Sequence, residues 1–147
     1  MDGLKRLLTH DVTIRICRTA TGALFAAAGL AKVGDMGAFA RDIHNFDMVP
    51  IVLENLLAIT LPWIEVVLAL ALILDVRGRP AALLATGLLV VFTLAVVTAV
   101  GRGLDIECGC FGTADASRVG LRKLLENTGL TLAALVGVLD PRASGEG

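Results

Sequence analysis

A chain of 147 residues that is 56% hydrophobic and only 18% charged departs from ordinary soluble domains, which run at about 45–50% apolar and about 25% charged. Its 13 basic and 14 acidic residues leave a formal net charge of -1, which excludes the strong electrostatic pull of a nucleic-acid-binding protein. The apolar excess falls in runs and mean hydropathy is +0.80, so the expected fold class is an all-α integral membrane protein, one membrane domain over 1–147.

Four segments match the roughly 20 residues that carry a helix across a hydrocarbon core of about 30 Å. They are 13–31, 51–74, 81–100 and 119–139, which predicts a four-transmembrane-helix bundle. The first is preceded by Lys5 and Arg6 and carries Arg15 and Arg18 near its start. A rival reading makes this stretch a cleaved signal peptide with Ala26-Ala27-Ala28 near the cleavage site. Arg15 and Arg18 interrupt the charged-then-apolar order that such a peptide needs, and its loss would leave three spans. Cys17 reads as a small apolar packing residue. Lys32, at the end of the span, reads as a lysine that snorkels to the head groups, with a second reading in which it lowers a cysteine pKa.

Residues 34–50 hold Phe39, Ile43, Phe46 and Met48 and predict a short outer amphipathic helix, lying on the membrane as a lid. The second span contains Leu61-Pro62-Trp63-Ile64-Glu65. Pro62 frees a carbonyl one turn earlier and can kink the helix, opening a cavity that Trp63 either lines or turns away from toward lipid. Glu65 falls near the middle of the span, where a lone carboxylate is costly. Depth counted by rise per residue puts Arg18 level with it, so an Arg18–Glu65 pair is expected, with fixing helix register as its simplest role. In the fourth span Arg122, Lys123, Glu126 and Asn127 must stay at an interface or inside the bundle. Glu126 and Asn127 are placed to hydrogen-bond the preceding loop.

Lysine and arginine favour the cytoplasmic side of short loops. The 13 basic residues divide only seven to six between the two sides, but four (Lys5, Arg6, Arg15 and Arg18) lie before or at the start of the first helix and two follow it. Both termini are therefore expected inside, on an inner (cytoplasmic) membrane. Loops 32–50 and 101–118 then face the outer, oxidising side, where disulfides persist.

The second of those loops carries Cys108-Gly109-Cys110. A disulfide needs Cα atoms roughly 4.4–6.8 Å apart, and a turn through Gly109, free to adopt positive φ, brings residues i and i+2 into range. So small a ring constrains little of the unfolded chain, and small strained disulfides are readily reduced. An exchanging redox pair fits this spacing better than a staple. Soft-metal ligation by two thiolates and a pair of plain loop thiols remain as alternatives. For a metal the ligand set is short, since His44 lies in the other loop. Asp105 and Glu107 disfavour thiolate while Arg102 and Arg118 favour it, so the attacking cysteine is not legible.

Taken together, Gly22 and Gly29 before Lys32, Leu61-Pro62-Trp63-Ile64-Glu65, Phe92, Arg102-Gly103 and Cys108-Gly109-Cys110-Phe111-Gly112 form a pattern. It resembles the MauE family of methylamine-utilisation membrane proteins, within the wider DoxX-like group, over roughly 15–139. The resemblance implies a four-helix membrane protein of disulfide formation or thiol relay, with a thioredoxin-like or other dithiol partner. It implies Cys108 and Cys110 as the catalytic pair and, from the wider group, a quinone as electron acceptor in the bilayer. Arg18, Lys32, Trp63, Glu65 and Phe111 are then the candidates to line the acceptor site, Glu65 through a head-group contact or a proton path. No metal is expected. Two further function classes stand beside this one: a soft-metal-binding or transport protein using the same cysteines, and a non-catalytic membrane subunit that assembles an enzyme.

Overall fold

The computed structural model describes residues 1–8, 10–109 and 118–139. These form six helices: α1 Asp2–Leu8, α2 Asp11–Gly34, α3 Met36–Phe46, α4 Ile51–Ile73, α5 Gly78–Gly101 and α6 Leu121–Val138. Among the described residues, α2, α4 and α5 are long and apolar enough to cross a bilayer. The expected fourth crossing corresponds to α6, whose 18 residues include Arg122, Lys123 and Glu126 in the first two turns. By length and composition α6 falls short of the other three. Helix α1, exposed over its first six residues Asp2–Leu7, had no counterpart among the expected elements.

The helices pack chiefly as two antiparallel pairs, α2 on α4 and α5 on α6, joined by α2–α6 and α4–α5 contacts. Small residues bring the backbones close, as membrane helices require when lipid offers no hydrophobic gain on association. A Cβ at Gly29 would lie 2.9 Å from the Pro62 carbonyl oxygen, and one at Gly22 would lie 2.8 Å from Ile73. These contacts set Gly29 level with Pro62–Val66 and Gly22 level with Ala69–Ile73. The pair is therefore staggered by roughly two turns. The first two turns of α4 project past the end of α2, where α3 packs on them and His44 Nδ1 meets Glu54 Oε2 at 3.0 Å.

The usual inside-out order of a soluble helix is reversed. Ile59, Trp63, Val67 and Leu70 of α4 and Leu84, Val91 and Leu94 of α5 are exposed, while Ala58, Ala69, Ala81, Ala82 and Ala85 are buried. Such apolar stripes suit lipid as solvent. Hydroxyls on these helices are satisfied locally: Thr60, Thr86 and Thr93 each donate to the carbonyl four residues earlier at 2.7 Å. Helix α4 runs unbroken through Pro62, which is buried against α2.

Three devices shape the end of the bundle that holds the cysteine loop. Asp35 caps α3, its carboxylate accepting from Ala38 N at 2.8 Å. Gly103, at φ 67°, closes α5 as a Schellman turn, with Leu104 N donating to Ala99 O and Gly103 N to Val100 O. Arg102, just before it, donates to the Phe46 carbonyl at 2.8 Å and so ties the end of α5 to the end of α3.

Candidate functional site

The loop after α5 is pinned at its base. Glu107 and Arg118 form an antiparallel bridge, Val119 N donates to Ile106 O at 2.8 Å, and Arg118 pairs with Asp105 at 2.6 Å. Cys108 follows at once, 5% exposed and disulfide-bonded. Gly109 adopts φ 64°, the positive value its place between two cysteines leads one to expect. It has a second reason to be glycine: the position of a Cβ lies 2.5 Å from Asp42 Oδ2 and 2.9 Å from Asp42 Cγ. Cys110 and Phe111, both named from sequence, lie outside the described residues. Cys17, the third cysteine, is a free, half-buried thiol beside Arg18, toward the other end of α2.

Cys108 forms part of the wall of a cavity of about 410 Å³. Phe39, Asp42, Ile43 and Phe46 of α3 make one side, Leu57 and Leu61 of α4 another, and Leu88, Phe92 and Val96 of α5 a third. Phe39, Ile43, Phe46 and Met48, the residues of the expected lid, line the same cavity as the cysteine. Among the described lining residues Asp42 is the one ionisable side chain besides Cys108. Burial and then the negative charge of Glu107 push its carboxyl above the ordinary aspartate range, with Asp35 adding to the rise and Arg41 and Lys32 opposing it. Asp42 escaped the sequence reading. Its signal was there: it sits between Phe39 and Phe46 at helical spacing, the polar exception on an apolar face.

Behind the aromatic wall lies the buried charge pair. Lys32 Nζ is 2.7 Å from Glu65 Oε1 and 2.9 Å from Oε2, with the two residues 1% and 2% exposed. The ammonium also lies 4.9 Å from the Phe39 ring centre and 5.0 Å from that of Phe92, both residues of the cavity wall. Lys32 therefore does not snorkel, because its charge finds a carboxylate and two ring faces inside the bundle. A small cavity of about 40 Å³ adjoins the pair, and buried Asn127 of α6 lines it with an amide Nδ2 that has no hydrogen-bond partner among the described residues. Asn127 thus faces the ion pair, while Glu126 accepts from Arg122 and Lys123 on its own helix.

The expected Arg18–Glu65 pair does not form. Arg18 Nη1 bonds Asp75 Oδ1 at 2.7 Å, and Nε donates to the Gly137 carbonyl at 3.0 Å. The stagger of α2 against α4 is the reason: Arg18 comes level with the turn after α4, and Glu65 with the region of Gly29. Trp63 is 52% exposed on the outward face of α4 and lines neither the cavity beside Cys108 nor the one beside Lys32. Of the named residues, then, the fold gathers Cys108, Lys32 and Glu65 at one end, and it leaves Arg18 and Trp63 elsewhere.

An all-helical membrane protein with a buried, disulfide-bonded cysteine beside an apolar cavity is the class these features define. The family model described as methylamine utilisation protein MauE matches residues 10–140, and the chain belongs to that family. Three curated relatives carry the name methylamine utilization protein MauE. That of Paracoccus denitrificans is 35% identical over 76% of this chain and 61% of its own length. That of Methylorubrum extorquens is 35% identical over 87% and 69%, and that of Paracoccus versutus 37% over 90% and 72%. The chain thus spans about three-fifths to seven-tenths of the length of these relatives. No solved structure matches it.

Proposed function

We propose that this chain is a membrane thiol–disulfide oxidoreductase acting in methylamine utilisation, with Cys108 and Cys110 as the exchanging pair. A dithiol on an external thioredoxin-like protein attacks the Cys108–Cys110 disulfide, passes through a mixed disulfide, and leaves oxidised, with the pair reduced to two thiols. A bilayer quinone then takes two electrons and two protons from those thiols as the S–S bond re-forms. On this reading α6 is the fourth crossing, both termini are cytoplasmic, and the cysteine loop faces the outer side of the inner membrane. Arg102 and Arg118 then lie on the partner-facing side.

The observation that carries the proposal is Cys108 itself, disulfide-bonded and buried on the wall of an apolar cavity large enough for a drug-sized molecule. A structural staple would have no use for such a cavity. A quinone fits the lining, which offers aromatic and aliphatic walls and one carboxyl group at the cysteine. The soft-metal reading requires both sulfurs as thiolates, which a disulfide-bonded Cys108 does not supply in this state. The assembly-subunit reading gives the disulfide no task.

The test is a pair of variants, Cys108→Ser and Cys110→Ser, in the full chain. Each is expected to abolish dithiol oxidation while the bundle stays folded, and one of them is expected to trap a mixed disulfide with the partner in intact cells. Full function in both variants ends the proposal. Labelling of the reduced loop by a membrane-impermeant maleimide from outside the cell checks the orientation.

A further inference from the structure

We infer that Asp42 is the acid–base residue of the site, accepting the proton of the reacting thiol and delivering it to the acceptor in the cavity. The inference rests on the redox reading of Cys108 given above and assigns a catalytic role to a residue that reading does not use.

The geometry comes from two directions. The Asp42 carboxyl occupies the space where a side chain at Gly109 would stand, so it abuts the backbone next to Cys108. It also lines the cavity, where it is the one ionisable group among the described residues besides the cysteine. A single carboxyl group therefore borders both the backbone next to the reacting cysteine and the volume in which a proton must be gained. Phe39, Ile43 and Phe46 flank it on α3 and wall the cavity with apolar surface, which strengthens electrostatic and hydrogen-bonding effects at that point.

The chemistry requires such a group. Re-forming the disulfide removes two electrons and two protons from two thiols, and a quinone that accepts both leaves as quinol. The thiolate, not the thiol, is the reactive form, and an unperturbed thiol titrates near pH ~8.5. An unperturbed aspartate, near pH ~3.9, is a weak base toward it. Burial and the charge of Glu107 move Asp42 upward, toward the thiol, with Asp35 acting in the same sense and Arg41 and Lys32 against it. Two passes through Asp42, one for each thiol proton, supply both protons of the quinol and return the carboxylate to its starting state, so the cycle balances.

The experiment uses the full chain in lipid nanodiscs, reduced with dithiothreitol and then freed of it, with decylubiquinone as acceptor, and follows quinol formation in a single turnover against pH. The wild type is expected to lose rate as the pH falls through a value above the ordinary aspartate range. Asp42→Asn is expected to slow quinol formation by about 10²- to 10⁴-fold, the usual weight of a general acid–base group, and to lose that limb of the profile. Asp42→Glu is expected to recover part of the rate and the limb with it. Wild-type rate and profile in Asp42→Asn would overturn the inference and leave the redox reading standing. No quinol formation in the wild type would overturn both. Should Asp42→Asn fail to fold, a wild-type rate that stays level from pH 8 down into the ordinary aspartate range (about 4) overturns the inference unaided.

Discussion

Lys32 on α2 and Glu65 on α4 are joined by two short hydrogen bonds even though their backbone positions are about one turn out of level. The gap closes because helical side chains lean toward the N-terminus of their own helix. In an antiparallel pair those leans point at each other, so Lys32 reaches back along α2 while Glu65 reaches back along α4. Removing one member leaves the other as a buried charge with no counter-ion. Lys32→Met and Glu65→Leu are each expected to destabilise the bundle by about 3–5 kcal/mol, and the double variant to recover most of that loss. Thermal unfolding in one detergent, across all four proteins, measures the coupling. A double variant as unstable as the sum of the singles would show that the two side chains do not act as a pair.

The same pair shows where sequence reading stops. Periodic apolar runs revealed α2, α4 and α5, with ends close to those observed, and Gly109 between two cysteines announced its positive φ. Partners across helices were not legible, because they depend on stagger. Level ends match Arg18 to Glu65, and a shift of roughly two turns hands Arg18 to Asp75 and Glu65 to Lys32. Gly22 and Gly29 set that shift through close contacts that no single-chain pattern specifies. Asp42 was missed for a related reason: an acidic residue on a short surface helix looks like solvated polarity until the loop that covers it is in place.

The glycines that set the stagger give a direct test. At Gly29 an added methyl meets the Pro62 carbonyl and the Glu65 and Val66 side chains, and backbone cannot yield cheaply. Gly29→Ala is expected to cost about 1–3 kcal/mol. Gly87, in the middle of α5 with no described neighbour within 4 Å of where a Cβ would stand, is the control. There alanine is expected to be neutral or to gain up to about 1 kcal/mol from helix propensity. Equal midpoints for the two variants would contradict close α2–α4 packing at Gly29.

Asp42 carries a stability prediction separate from its catalytic one. Its folded-state pKa lies above the unfolded value, through burial first and Glu107 second, so the folded chain holds this proton more tightly. The resulting stability is fully present below about pH 3.9 and is lost as pH rises through the raised folded value. Above that value the folded state bears an ionised carboxylate it disfavours. Asp42→Asn removes the charge, so its melting temperature is expected to exceed the wild type's at pH 7–8 and to converge with it in acid. A residue that lowers stability where it works is a familiar mark of a functional site. A variant less stable than wild type at neutral pH would contradict the sign.

Arg18 ties three elements at the opposite end of the bundle, and its contacts with Gly137 and Asp75 are not equivalent. The Gly137 carbonyl sits at the last turn of α6, against a glycine whose Cβ position lies 3.1 Å from Arg18 Cγ. Asp75 is partly exposed, in the turn between α4 and α5, and water can replace its partner. Loss of Asp75's charge should therefore matter less than loss of the guanidinium. Asp75→Asn keeps an acceptor at the same place and is expected to cost about 1 kcal/mol or less. Arg18→Lys keeps the positive charge but not the planar fork that spans Gly137 and Asp75 together, so it is expected to cost more. Melting temperatures measured side by side decide the order. If Arg18→Lys were the milder change, the attachment of α6 to α2 would have to come from apolar packing rather than from this cross-link.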